Sequence, residues 1–174
     1  MPRSEIPILG FAAPSGTGKT TLLAQLISAL TLKNIRVGLI KHSHHDFEVD
    51  RPGKDSFRLR AAGASPVMLV SKYRRAIITE LTATSEPDLL EQLKFFDNDE
   101  LDIILVEGFS SAPIPKIELH RPSLNKPLLF PNDPNIIAIA SDVSLVTPKN
   151  LVNLDINQPD DITAFIIQHF LNKP

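Results

Sequence analysis

The chain has 174 residues, 43% of them hydrophobic and 22% charged, which suits one packed domain and argues against a disordered chain. Its formal net charge of -2 gives no reason to expect a nucleic-acid or anionic-membrane partner. The absence of cysteine excludes disulfides, thiolate-held zinc and a cysteine nucleophile. No apolar run approaches the roughly 20 residues that span a bilayer. The start of the chain also lacks a long apolar core behind a charged segment, so a cytoplasmic protein is expected.

In chain order, the run from Ile6 to Ala12 predicts a strand, and a helix follows from Lys19 to Lys33. Leu22, Leu23, Leu26, Ile27 and Leu30 recur at helical spacing, and Asn34 is a plausible C-terminal stop. Ile35 to Ile40 predicts a second strand, completing a β-α-β unit with a parallel pair. A polar stretch, KHSHHDFEVDRPGKDS, leads into a helix through Phe57, Leu59, Arg60 and Ala61.

Val67–Val70 and Arg75–Thr79 predict a hairpin around Lys72 and Tyr73. Leu89, Leu90, Leu93 and Phe96 lie on one helical face between residues 86 and 96. Ile103–Val106 is a continuous apolar strand of the kind covered by helices on both faces. Ile114–His120 alternates weakly as another strand, residues 121–135 read as a Pro- and Asn-rich surface loop, and Ile136–Ala140 is a late buried strand. A closing amphipathic helix runs from Asp160 to Leu171. This alternation predicts a single α/β domain over residues 1–174, with helices on both sides of a mostly parallel sheet and an added hairpin or arm.

The segment APSGTGKT, residues 13–20, matches the phosphate-loop pattern G-x-x-x-x-G-K-[ST] except that Ala13 replaces the first glycine. It follows a predicted strand and opens a predicted helix, as a phosphate cradle requires. Backbone N–H groups in such a loop converge on an anion, and the helix N-terminus adds its positive end. Ser15, Gly16, Thr17, Gly18, Lys19, Thr20 and Thr21 are therefore the expected nucleotide contacts, with Lys19 reaching the outer phosphates and Thr20 binding Mg²⁺. A chance glycine-rich turn is the bland alternative.

Glu107 ends the Ile103–Val106 strand, and ligands of open α/β sheets bind at that edge. Glu107 is thus a second Mg²⁺ ligand candidate, with Gly108 admitting the γ-phosphate; Asp102 lies at the far end. Asp46 and Asp50 follow the second strand and are candidates for completing the metal shell or orienting the attacking water, acting with Lys19 as the catalytic set. His42, His44 and His45 read either as metal donors or as a polar lip. Residues 51–56 form either a contact for a second phosphorylated ligand or a capped turn. Asp142 ends the late strand, where a carboxylate can accept from N1–H and N2–H₂ of guanine; the alternative is a turn residue. The usual N-K-x-D base-reading motif is not present.

The segments FAAPSGTGKTTLL, GLIKHSHHDFEVDRPGKDS, LDIILVEGF and IAIASDV, in this order and spacing, resemble the MobB family of molybdopterin-guanine dinucleotide biosynthesis adaptors. The resemblance runs from Ile8 to the final helix, and the histidine-containing segment is its most specific part. It implies a P-loop protein that binds GTP with Mg²⁺, hydrolyses it weakly and forms a homodimer. It also implies work with the guanylyltransferase that joins GMP to molybdopterin, and contact with molybdopterin or molybdoenzyme-maturation proteins. Gly16, Gly18, Lys19, Thr20 and Thr21 match the family's phosphate-binding loop, Glu107 its second acidic motif, and Asp142 its guanine-contacting segment.

Two alternatives stay open at this stage. One is an ATP-dependent kinase or ligase resembling dethiobiotin synthase, with Lys41, Lys54 or Arg58 lining an acceptor pocket. The other is a GTP-driven metallochaperone using His42, His44 and His45. For a dimer, the 67–80 hairpin and the 114–120 strand are the candidate arm or shared sheet.

Overall fold

The computed structural model describes residues 6–43, 47–81, 86–96 and 100–172. They divide into two compact units, one of Met1–His42 with Leu89–Pro174 and one of Ser43–Asp88.

The larger unit is built on a six-stranded sheet in the order β2-β5-β1-β6-β7-β8. Its strands are β1 (Ile8–Ala12), β2 (Val37–Lys41), β5 (Ile103–Glu107), β6 (Lys116–His120), β7 (Ile136–Ser141) and β8 (Val152–Asp155). Every pairing in it is parallel. All six C-terminal ends therefore open on one edge, and the loops that leave them share it.

One face of the sheet is covered by α1 (Lys19–Leu32) and α4 (Pro159–Ile166), the latter running on into a π-helical turn at Ile167–Leu171. Leu22, Leu23, Leu26 and Leu30 of α1 pack with Ile162, Phe165 and Ile166 of α4 over Leu9, Phe11, Ile103 and Leu105. Complete burial of Leu26 and Leu30 contributes about 1.5–3 kcal/mol each. Asn34 ends α1 in the left-handed region at φ 60, and the following Ile35 N–H closes back onto the Leu30 carbonyl at 3.1 Å.

The other face carries a shorter helix together with an irregular segment. Here α3 (Leu89–Leu93) is a little over one turn, shorter than the helix predicted over 86–96. It packs with Phe96 and Leu101 on Ile104 and Val106. The 121–135 segment covers the rest, with Leu128, Leu129 and Phe130 against Ile136, Ile139 and Leu151.

That segment is anchored by charged side chains of β6. Ile117 and Leu119 face the α1–α4 side, so Lys116, Glu118 and His120 point to the opposite face, all buried. Glu118 accepts from the backbone N–H groups of Leu129 at 2.7 Å and Phe130 at 2.8 Å. Lys116 Nζ donates to Asp133 Oδ2 at 2.7 Å. Burial pushes the Glu118 carboxyl above its ordinary range, against the lowering pull of the two N–H donors and of His120. The 121–135 segment is thus a packed layer rather than a plain surface loop, and β6 lies inside the sheet between β1 and β7. The expectation that 114–120 serves a dimer arm fails, because both its edges are hydrogen-bonded within the chain.

The smaller unit holds α2 (Asp55–Ala61) and a two-stranded antiparallel hairpin, β3 (Val67–Val70) and β4 (Arg75–Ile78). Arg60 of α2 donates to Glu80 at 2.5 Å and Glu48 at 2.6 Å, tying the helix to the segments on either side.

Candidate functional site

The chain leaves β1 at Ala12 and enters α1 at Lys19 through a loop held from within. Thr17 Oγ1 donates to the Pro14 carbonyl at 2.8 Å, and Thr17 is buried. Gly18, the residue before the helix, has φ 95, a left-handed conformation that favours glycine. Its carbonyl accepts the first helical bond from Leu22 at 3.0 Å. Among the described residues, the backbone N–H groups of Gly16, Thr17 and Gly18 donate to no protein acceptor. Unpaired donors beside a helix start are the components of an anion nest.

Lys19 reaches back over this loop, with Nζ 3.5 Å from the Ala13 carbonyl and 3.9 Å from Glu107 Oε1. Glu107 stands opposite Phe11 in the β1–β5 register, so the acid and the loop leave neighbouring strands at the same edge. The Glu107 carboxylate also accepts from Lys41 Nζ at 3.0 Å. Thr20 and Thr21 are exposed on the first turn of α1. Thr20 and Glu107 offer hard oxygen donors, the chemistry Mg²⁺ requires, but a cation at Glu107 competes with Lys41.

Gly108 has φ 89, and a Cβ there would lie 2.7 Å from His42 Cβ. The glycine is thus required by the close approach of the chain after β2. His42 stacks on Phe109 with ring centroids 4.8 Å apart, and the His42 backbone N–H donates to the Glu107 carbonyl at 2.8 Å.

Asp142 lies just past β7, and its Oδ2 accepts from Arg121 Nη1 at 2.7 Å. Arg121 Nε donates to the Thr17 carbonyl of the loop at 3.0 Å. Sequence reasoning missed Arg121. It directly follows β6, so recognising KIELH as an inner parallel strand would have placed it at the ligand edge. Beside it a cleft of about 320 Å³ is lined by Gly18, Thr21, Gln25, Arg121 and Asn157, among others.

Asp50 belongs to the smaller unit and is buried. Its Oδ1 accepts from the Arg51 N–H at 2.9 Å, while Oδ2 has no hydrogen-bond partner among the described residues. Asp46, His44 and His45 lie outside the described residues. Asp102 pairs with Arg36 at the opposite end of β5, through Nε at 3.0 Å, Nη2 at 2.6 Å and the backbone N–H at 2.8 Å. The described residues contain no group of three or more His, Asp or Glu arranged to hold a metal ion.

A protein-family model described as "Molybdopterin guanine dinucleotide synthesis protein B" matches residues 8–142. The chain is 47% identical over 167 residues to the molybdopterin-guanine dinucleotide biosynthesis adapter protein of Escherichia coli K12, covering 95% of this chain and 94% of that one. It is 46% identical to the protein of the same description from Haemophilus influenzae, covering 96% and 93%. Its fold is similar to the crystal structure of Bacillus subtilis MobB, with TM-score 0.74, 23% identity and coverage of 97% and 100%.

Proposed function

Because the chain belongs to the molybdopterin guanine dinucleotide synthesis protein B family, we propose that it acts as an adapter in molybdopterin-guanine dinucleotide biosynthesis by binding GTP and Mg²⁺ and hydrolysing GTP slowly. The observation that carries the nucleotide part is the meeting of unpaired N–H donors at Gly16–Gly18 with Lys19 and Glu107 on one sheet edge.

On this assignment the phosphates lie along the loop, where the free N–H groups and the start of α1 meet their oxygens. Lys19 exchanges its long contact with Ala13 for the outer phosphates and stabilises charge as water attacks the γ-phosphorus in line. Thr20 and Glu107 would hold Mg²⁺, which would supply positive charge against the phosphate oxygens. Slow turnover fits the sequence after Glu107, where Gly108 and Phe109 stand and no glutamine follows to orient water.

The adapter's partners are then the guanylyltransferase, with molybdopterin and molybdoenzyme-maturation proteins as further contacts, in the cytoplasm. No helix among the described residues is long and apolar enough to cross a membrane. A homodimer is part of the proposal, because each hairpin strand is paired on one side only and exposes Met68, Val70 and Ile77.

Calorimetric titration with GTP and ATP in the presence of Mg²⁺ tests the core of this assignment. GTP binding with slow phosphate release is expected. Lys19→Ala should weaken binding roughly tenfold to a hundredfold, since it removes a charge-assisted bond. Tight ATP binding without GTP binding would overturn it. Capture from cell extract should recover the guanylyltransferase; recovery of biotin-pathway or nickel-enzyme components instead would sink the adapter role.

A further inference from the structure

The Arg121–Asp142 pair stands beside the loop that precedes α1, to which Arg121 is hydrogen-bonded. Both side chains are about three-tenths exposed, at 30% and 27%, and Arg121 lines the cleft that opens beside the first turn of α1. The guanidinium is committed on two sides, Nε to the Thr17 carbonyl and Nη1 to Asp142 Oδ2. Its Nη2 and the Asp142 Oδ1 have no partner among the described residues. A fixed donor therefore stands next to a fixed acceptor, just past the two strands that follow β1 in the sheet, at the edge where the loop holds its N–H groups.

That pattern has a natural complement. The pairing edge of guanine presents the O6 acceptor beside N1–H and N2–H₂ donors, whereas adenine presents an N6 donor beside an N1 acceptor. We propose that Arg121 and Asp142 together read the nucleobase, Arg121 donating to O6 while Asp142 accepts from N1–H and N2–H₂. Adenine is rejected twice, its N6 amine meeting the guanidinium and its N1 lone pair meeting the carboxylate. A donor and an acceptor that meet the wrong base edge and stay unpaired are the source of such discrimination. The two residues supply from separate strands what an N-K-x-D motif supplies from one segment, and the bond to Thr17 couples the base reader to the phosphate loop. The inference rests on the nucleotide-binding assignment and adds to it which residues choose guanine.

The test measures affinities of the full-length protein with Mg²⁺ for GTP, ATP, xanthosine triphosphate and the triphosphate of 2-aminopurine riboside, which lacks O6 and N1–H. Unaltered protein should bind GTP and bind the 2-aminopurine analogue roughly tenfold to a hundredfold more weakly. Arg121→Met should weaken every nucleotide somewhat through the lost bond to Thr17, weaken GTP by a further factor of similar size, and so collapse the selectivity. Arg121→Lys should restore part of it, and Asp142→Asn should move the preference toward xanthosine triphosphate.

Equal binding of GTP and the 2-aminopurine analogue by unaltered protein overturns the inference without any variant. So does an equal loss for all nucleotides in Arg121→Met, which would mark Arg121 as a clamp on the loop alone. Failure of unaltered protein to bind any triphosphate instead overturns the nucleotide-binding assignment and this inference with it.

Discussion

Lys41 and Glu107 are register partners on neighbouring parallel strands, and their side chains meet at 3.0 Å. The pair neutralises the acid proposed to hold Mg²⁺, so the metal and Lys41 compete for the same carboxylate. Lys41→Met should lower the Mg²⁺ concentration needed for half-maximal GTP binding by roughly twofold to fivefold, the scale of an exposed ion pair. A Mg²⁺ titration at fixed GTP reads this directly, and an unchanged midpoint would separate Glu107 from the metal.

Gly108→Ala forces a left-handed backbone on an L residue and drives its Cβ into His42 at 2.7 Å. A loss of at least about 1–3 kcal/mol is expected, measured by urea unfolding. The His42–Phe109 stack should loosen with it. Wild-type stability in this variant would show that the β2 and β5 exits are not packed as described.

The pH dependence of stability contains two components of opposite sign. The Arg36 side chain and its backbone N–H hold the Asp102 carboxyl below its ordinary range. Its stabilising contribution is present above the ordinary aspartate value of about 3.9 and is lost as pH falls through the lowered folded value. Glu118 behaves in reverse: burial raises its folded value, so its contribution is present below about 4.3 and is lost as pH rises through that raised value. Asp102→Asn should flatten the loss of stability on acidification, and Glu118→Gln should flatten the loss on the way up. Thermal melts across the acid range check both signs.

Met68 and Ile77 face each other across the hairpin, each more than half exposed. If the hairpin forms the dimer contact, Met68→Asp combined with Ile77→Asp should convert a dimer of 19.2 kDa chains to monomer in sedimentation. A dimer that survives this change is built from another surface.

Much of the larger unit was legible because its signals are local. The strand–loop–helix around Lys19, the unbroken apolar run before Glu107 and the Asn34 stop all appear where the sequence predicts them. The misses depend on distant partners. The KIELH strand is expected, but the burial of its Lys116 and Glu118 is not, since the groups that satisfy them arrive from Leu129, Phe130 and Asp133. VNLD carries too little apolar patterning to announce β8, an edge strand. Arg121 is not legible for a related reason: β6 is expected as a strand, but its place inside the sheet, and so the position of Arg121 at the ligand edge, follows from the topology.

Glu118 and Lys116, each bonded to the 121–135 segment, also have a consequence for how the chain can be altered. Arg121 is fixed at one end and Leu129, Phe130 and Asp133 at the other, leaving Asn125, Lys126 and Pro127 exposed between two fastened points. That short bridge is where extra residues, an epitope or a fluorophore can be accommodated while the ends keep their places. It offers a permissive insertion point on the same stretch of chain that positions Arg121.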